Sequence, residues 1–180
     1  SPFSLDFLRR GHAVHYRCRD GKAEGIRLDI MSVMRGVDPF EELWERRTTV
    51  ELDSDLTIDL MSLPDLVQAK KTQREKDWSM IRRLVEADFE RGRESPTGGQ
   101  VRFWTLEART PGILRELHRL YTDKVVACAT KRPLLGLLPN ASEQELKTAL
   151  RDEEDLEREA DREYWMPLRK ELEQLRHGRQ

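Results

Sequence analysis

Thr48-Thr49-Val50-Glu51-Leu52-Asp53-Ser54-Asp55-Leu56-Thr57-Ile58-Asp59-Leu60 lies near the centre of the informative half of this sequence. Val50 and Leu52 alternate with polar residues before Asp53-Ser54-Asp55. Leu56, Ile58 and Leu60 alternate after it. A period of two on both sides of a short polar turn predicts an antiparallel hairpin. The period then lengthens. Ser62 is an N-cap candidate for a helix from Leu63-Pro64-Asp65 to about Lys71. Asp77 or Lys76 opens another, with Trp78, Ile81, Leu84, Val85 and Phe89 directed inward.

The same alternation occurs upstream. In His12–Cys18, the residues Val14, Tyr16 and Cys18 share one face and Ala13, His15 and Arg17 the other. Arg19-Asp20-Gly21-Lys22 is a turn. In Gly25–Ser32, Ile26, Leu28 and Ile30 oppose Arg27, Asp29 and Met31. This is a first hairpin, preceded by a short helix over Ser4–Arg10 that Gly11 ends. Between the hairpins, Asp38-Pro39-Phe40-Glu41-Glu42-Leu43-Trp44 is a helix start, with Asp38 as cap and Pro39 in the first turn.

Downstream, Ser95-Pro96-Thr97-Gly98-Gly99 is a linker candidate. Helices are expected over 101–108, 111–129 and 142–176. The last carries a capping box of Ser142 with Glu145, and Pro167 should interrupt or kink it. Pro133–Pro139 reads as an apolar loop packed down. The expected fold class is therefore α+β: two hairpins with short helices as part of a mixed sheet, then a helical C-terminal region. The expected parts are 1–93, a linker at 94–100, and 101–180.

Hydrophobic and charged residues each make up 37% of the 180 residues, and the net charge is −2. Low hydrophobicity without high net charge favours a folded, surface-rich protein over a disordered one. No run of eighteen apolar residues occurs, so no membrane span is expected. Arg9, Arg10 and His12 interrupt any apolar opening stretch, so no signal peptide is expected. Cys18 and Cys128 make no disulfide framework, which points to a reducing, cytoplasmic setting. No HExxH, CxxC, GxxxxGK[ST], GxGxxG or GxSxG pattern occurs.

Two places could carry chemistry. Asp29 stands in mid-strand between Leu28 and Ile30, where an acidic residue must face solvent, a cation or a metal. Lys70, Lys71, Arg74 and Lys76 place four cations at a helix–helix junction. A helix N-terminus there would favour a phosphate. The plainer alternatives are a solvent-facing strand residue and a solvated turn with Asp77 as cap. Ser142–Gln180, with 12 acidic and 8 basic side chains, reads as an exposed helical face.

Taken in order, these pieces resemble the second half of the nucleotidyltransferase-like proteins of the polymerase-beta superfamily, nearest the minimal AbiEii-like branch associated with toxins and antitoxins. The residues concerned are Arg27-Leu28-Asp29-Ile30-Met31, Phe40-Glu41-Glu42-Leu43, Leu60-Met61-Ser62-Leu63-Pro64-Asp65-Leu66 with Lys70, and Arg74-Glu75-Lys76-Asp77. The resemblance covers about residues 12–90. It implies that Asp29 is a catalytic carboxylate and Mg²⁺ ligand. It implies that Lys70, Arg74 and Lys76 contact nucleotide phosphate, and that Asp77 completes the structural R-x-K-D turn. The implied activity is NMP transfer from a nucleoside triphosphate to RNA or protein.

The family's Gly-Ser turn and Asp-x-Asp strand have no counterpart before Asp29, where only Asp6 and Asp20 occur. The expectation is thus an incomplete member, inactive unless the Asp-x-Asp half is supplied. The alternative expectation is a non-catalytic helical interaction module that meets a partner chain or a second copy through Tyr164-Trp165-Met166-Pro167-Leu168. RNA binding along Lys70–Arg83 is a further alternative, and it would show steep salt dependence.

Overall fold

The computed structural model describes residues 5–53 and 55–177. Ser4 and Ser54, which belong to the expected first helix and second turn, lie outside the described residues. The chain forms two compact units. One is Ser1–Ala69 with Glu163–Gln180, and the other is Lys70–Arg162. The fold class is α+β, with two antiparallel hairpins and a long C-terminal helix. Among the described residues no helix is long and apolar enough to cross a membrane.

The first unit begins with α1 (Leu5–Arg9), then β1 (Val14–Arg17) and β2 (Arg27–Ile30). Val14 stands opposite Ile30, His15 opposite Asp29, Tyr16 opposite Leu28 and Arg17 opposite Arg27. Partners across an antiparallel ladder share a face, so this hairpin has one apolar face and one charged face. Its connection is longer than the sequence suggests: a 3-10 turn at Gly21–Ala23, with Gly21 at φ +68° and Gly25 at φ +82°. Only glycine adopts such angles without a steric penalty.

α2 (Phe40–Glu45) follows, but Asp38 does not cap it; the Asp38 carboxylate accepts from Arg46 Nη2 at 2.7 Å. β3 (Thr48–Asp53) and β4 (Leu56–Leu60) form the second hairpin, with Val50 opposite Ile58 and a register irregularity between Glu51 and Asp53. The two hairpins are separate two-stranded sheets. α3 (Leu63–Ala69) has the expected cap: the Asp65 amide donates to Ser62 Oγ at 3.4 Å.

The second unit is helical: α4 (Glu75–Gly92), α5 (Gly98–Glu107), α6 (Pro111–Leu120), α7 (Thr122–Cys128) and most of α8 (Glu143–His177). Trp78, Ile81, Val85 and Phe89 are buried at the three- and four-residue spacing of one α4 stripe; Leu84 is half-buried. Phe89 meets Trp104 edge to face at 5.2 Å, and the Trp104 indole donates to Asp88 at 2.7 Å. Residues 94–100 lie inside this unit, 94–97 as a turn and 98–100 as the start of α5. There Thr97 Oγ1 accepts from the Gln100 amide at 3.2 Å, while the Gln100 side chain accepts from the Thr97 amide at 3.1 Å.

The helix expected over 111–129 is broken at Tyr121, whose φ −137° and ψ 44° leave the helical region. The apolar loop is a 3-10 segment, Pro133–Leu137, with Leu134, Leu135 and Leu138 buried. α8 opens on the expected Ser142–Glu145 capping box and runs through Pro167 without interruption. Proline costs that helix one backbone bond, and the flanking turns hold it.

Burial divides sharply between the units. Of 18 buried apolar side chains among the described residues, 17 lie in the second unit and only Val67 in the first. Each fully buried side chain of this kind contributes roughly 1.5–3 kcal/mol. The second unit therefore carries a core, whereas the first is held by two hairpins, short helices and polar links.

Candidate functional site

Asp29 lies on the charged face of β2, exposed to solvent. Its Oδ1 accepts from Arg27 Nε at 2.6 Å and lies 2.6 Å from His15 Nδ1. The geometry follows from strand rules: Arg27 is two residues away on the same face, and His15 is the direct cross-strand partner. The hydrogen bond from Arg27, followed by that from His15, holds the Asp29 carboxyl below its usual range. Asp29 is thus an ionised carboxylate already met by two basic groups.

Mg²⁺ requires several oxygen ligands converging in octahedral geometry. Asp29 brings one carboxylate, and one of its oxygens is engaged. Among the described residues no three His, Cys, Asp or Glu side chains gather in a group that could hold a metal ion. These residues alone do not fit a Mg²⁺ site.

Lys70, Arg74, Lys76 and Asp77 belong to the second unit. Arg74 and Asp77 are brought together. Arg74 Nε donates to Asp77 Oδ2 at 2.8 Å, and Thr72 Oγ1 donates to the same oxygen at 2.6 Å. Further bonds lock the turn. The Trp78 indole donates to the Thr72 carbonyl at 2.7 Å, and the Gln73 amide donates to the buried Asp161 at 3.0 Å. Asp77 is buried in the first turn of α4, so the positive end of that helix faces the chain's own carboxylate. Lys70 is half-buried and Lys76 exposed, and neither pairs with a carboxylate among the described residues. Lys71 is committed to Glu107 at 2.9 Å.

The motif's other aspartate, Asp65, behaves like Asp77. Arg46 grips it with two bonds, Nε to Oδ2 at 2.7 Å and Nη2 to Oδ1 at 2.8 Å, and Ser62 Oγ donates to it as well. Arg46, foremost among these groups, holds the Asp65 carboxyl below the usual carboxylate range. The guanidinium rises above its own ordinary value in return. Arg46 follows α2 and Asp65 opens α3, so this pair ties the two helices across the second hairpin.

A further charged cluster, which sequence reasoning missed, lies in the second unit. Arg132 is buried, donating to the carbonyls of Thr105 at 2.9 Å and Ala108 at 2.8 Å and to Glu153 Oε2 at 2.9 Å. The buried Arg109 donates to the same Glu153 oxygen and stacks over Trp78 at 5.0 Å. Burial lowers the Arg132 pKa, and Glu153 works against that shift. Nothing in the spacing of Arg109, Arg132 and Glu153 signals this convergence, because two lie in separate connections and the third on α8.

Comparison with protein-family models, with curated protein sequences and with solved structures returned no match.

Proposed function

We propose that this chain is a nucleotidyltransferase-like component that works by protein association rather than by catalysis of its own. One observation carries this reading. Each aspartate of the resembling motif is tied to a basic side chain of its own unit: Asp29 to Arg27 and His15, Asp65 to Arg46, and Asp77 to Arg74. Such carboxylates are met by basic side chains of their own unit instead of standing open toward a metal. The first unit's exposed apolar side chains support the association half of the proposal, because large bare apolar patches mark interaction surfaces. Transfer of NMP from a Mg²⁺-bound nucleoside triphosphate would require carboxylates from another chain or segment to join Asp29. In such an assembly Lys70 and Lys76 are the cations free to meet phosphate. Two free thiols, Cys18 and Cys128, are in keeping with a cytoplasmic setting.

The test is thermal unfolding of the full chain with Mg²⁺ and each nucleoside triphosphate, wild type beside Asp29→Ala. The expected result is no nucleotide-dependent rise in Tm in either protein. A Mg²⁺-dependent rise in the wild type that Asp29→Ala abolishes would overturn the reading and restore a nucleotide site.

A further inference from the structure

Glu154, on the part of α8 that belongs to the second unit, is a carboxylate without a close partner. Its side chain is only 13% exposed, yet it accepts no hydrogen bond among the described residues. Two guanidinium nitrogens approach it and stop short: Arg158 Nη2 at 3.8 Å and Arg82 Nη2 at 3.9 Å. A carboxylate so placed carries the desolvation cost of its charge without the bonds that would offset it.

The charged groups around it come from three places. Glu75 and Arg82 lie on α4, Arg158 on the next turn of α8, and Arg109 in the connection between α5 and α6. Arg109 already donates to Glu153, the neighbour of Glu154, which also holds Arg132. Arg158 is contested. Its Nη2 lies 2.6 Å from Glu75 Oε2, across to α4, and 3.8 Å from Glu154 on its own helix. Its Nε is buried with no hydrogen-bond partner, and its guanidinium stands over the Trp78 ring at 5.9 Å. Two carboxylates thus share one cation, and each disfavours the charge of the other. Burial above all pushes the Glu154 carboxyl above its ordinary value of 4.5. Arg109, Arg82 and Arg158 pull against that rise, and Glu75 adds to it.

We propose that Glu154 is a proton-operated latch between α8 and α4. Charged, it competes with Glu75 for Arg158 and loosens the pair that crosses from one helix to the other. Protonated, it leaves Arg158 wholly to Glu75, and the link from α8 to the first turn of α4 tightens beside Trp78. The direction follows from burial. A carboxyl raised above its unfolded value takes up a proton more readily in the folded chain, so its protonation adds stability as pH falls through the folded value. The latch is therefore open at neutral pH and closes on acidification, before pH reaches the ordinary glutamate value of 4.5. Nothing in this latch depends on the association reading above.

An NMR titration of the Glu154 side-chain carboxyl carbon in the full chain reads the latch directly. In the wild type its midpoint is expected above 4.5. In Glu75→Gln the midpoint is expected to fall, because the like charge is gone and Arg158 is free to turn to Glu154. Glu75 is exposed, so this variant keeps the fold. Thermal unfolding supplies the second readout. Glu154→Gln, which stands in for the protonated latch, is expected to raise Tm by about 2–5 °C at neutral pH. That advantage is expected to vanish as pH approaches 4.5, where the wild type has taken up its own proton. A wild-type midpoint at or below 4.5, or a midpoint that Glu75→Gln leaves in place, would overturn the latch. So would a folded Glu154→Gln with no advantage at neutral pH.

Discussion

Asp65 is one residue through which acid reaches the first unit. Its carboxyl is held below the ordinary value of 3.8 by Arg46 above all. A carboxylate with a depressed folded pKa contributes stability that is fully present above its unfolded value. That contribution is lost as pH falls through the folded value. Asp65→Asn is therefore expected to cost about 1–3 kcal/mol at neutral pH, because Arg46 loses its bidentate acceptor. The difference in Tm between wild type and variant should shrink below about pH 4 as the wild-type carboxylate takes up its proton. Thermal melts followed across an acid series check both parts. Asp29 differs. It too is ionised by basic neighbours but stands in solvent, where such pairs are screened, so Asp29→Asn leaves Tm nearly unchanged.

At the scale of elements, the loop between α7 and α8 is fastened by charge as well as by leucine. Arg132 precedes the Pro133–Leu137 segment and reaches back to the carbonyls of Thr105 and Ala108 at the end of α5. Those carbonyls would otherwise end a buried helix without partners. Glu153 on α8 neutralises Arg132 and receives Arg109 as well. Breaking such a pair from one side leaves buried cations uncompensated, which costs more than the pair itself is worth. Glu153→Leu is expected to destabilise the second unit by about 3–5 kcal/mol, whereas Arg132→Met combined with Glu153→Leu should recover part of that loss. Chemical denaturation of the three proteins measures the coupling. Failure of the double variant to recover any stability would show that Arg132 acts mainly through the α5 carbonyls.

For the whole molecule, the unequal distribution of buried apolar surface has a dynamic consequence. Local opening is least costly where few apolar contacts are lost. The first unit buries Val67 alone among its described apolar side chains, while the second has Trp78, Phe89, Trp104, Leu114 and their neighbours. Native-state hydrogen exchange should therefore find the amides of β1 to β4 exchanging fastest at low protein concentration. Those of α4 and the Leu146–Leu150 turn of α8 should exchange slowest. Uniform protection across both units at every concentration would count against this division.

Much of the local structure was legible in the residues themselves. Alternation at His12–Cys18 and Thr48–Leu60, the Ser142–Glu145 capping box and the 3.6-residue stripe from Trp78 to Phe89 depend on neighbours in sequence. Local rules therefore reach them. The Arg27–Asp29–His15 contact was within reach as well, once the register of the first hairpin is drawn. Other features were not. Asp38 lost its capping role to Arg46, and Tyr121 broke a continuous helical pattern. Pro167 failed to stop α8, and residues 94–100 became a turn and the start of α5 inside a unit. Asp38 was taken by Arg46, eight residues on, whereas the turn before α5 rests on the local Thr97–Gln100 capping box, a signal that the sequence does carry. The sequence by itself determined the α+β class, most elements and the faces they present, because periodicity and capping act over a few residues. Only the tertiary structure decided that Asp65 and Asp77 are clamps, that the core belongs to residues beyond Ala69, and that the hairpin and α2 stay bare. Burial and ion pairing depend on which residues meet in space.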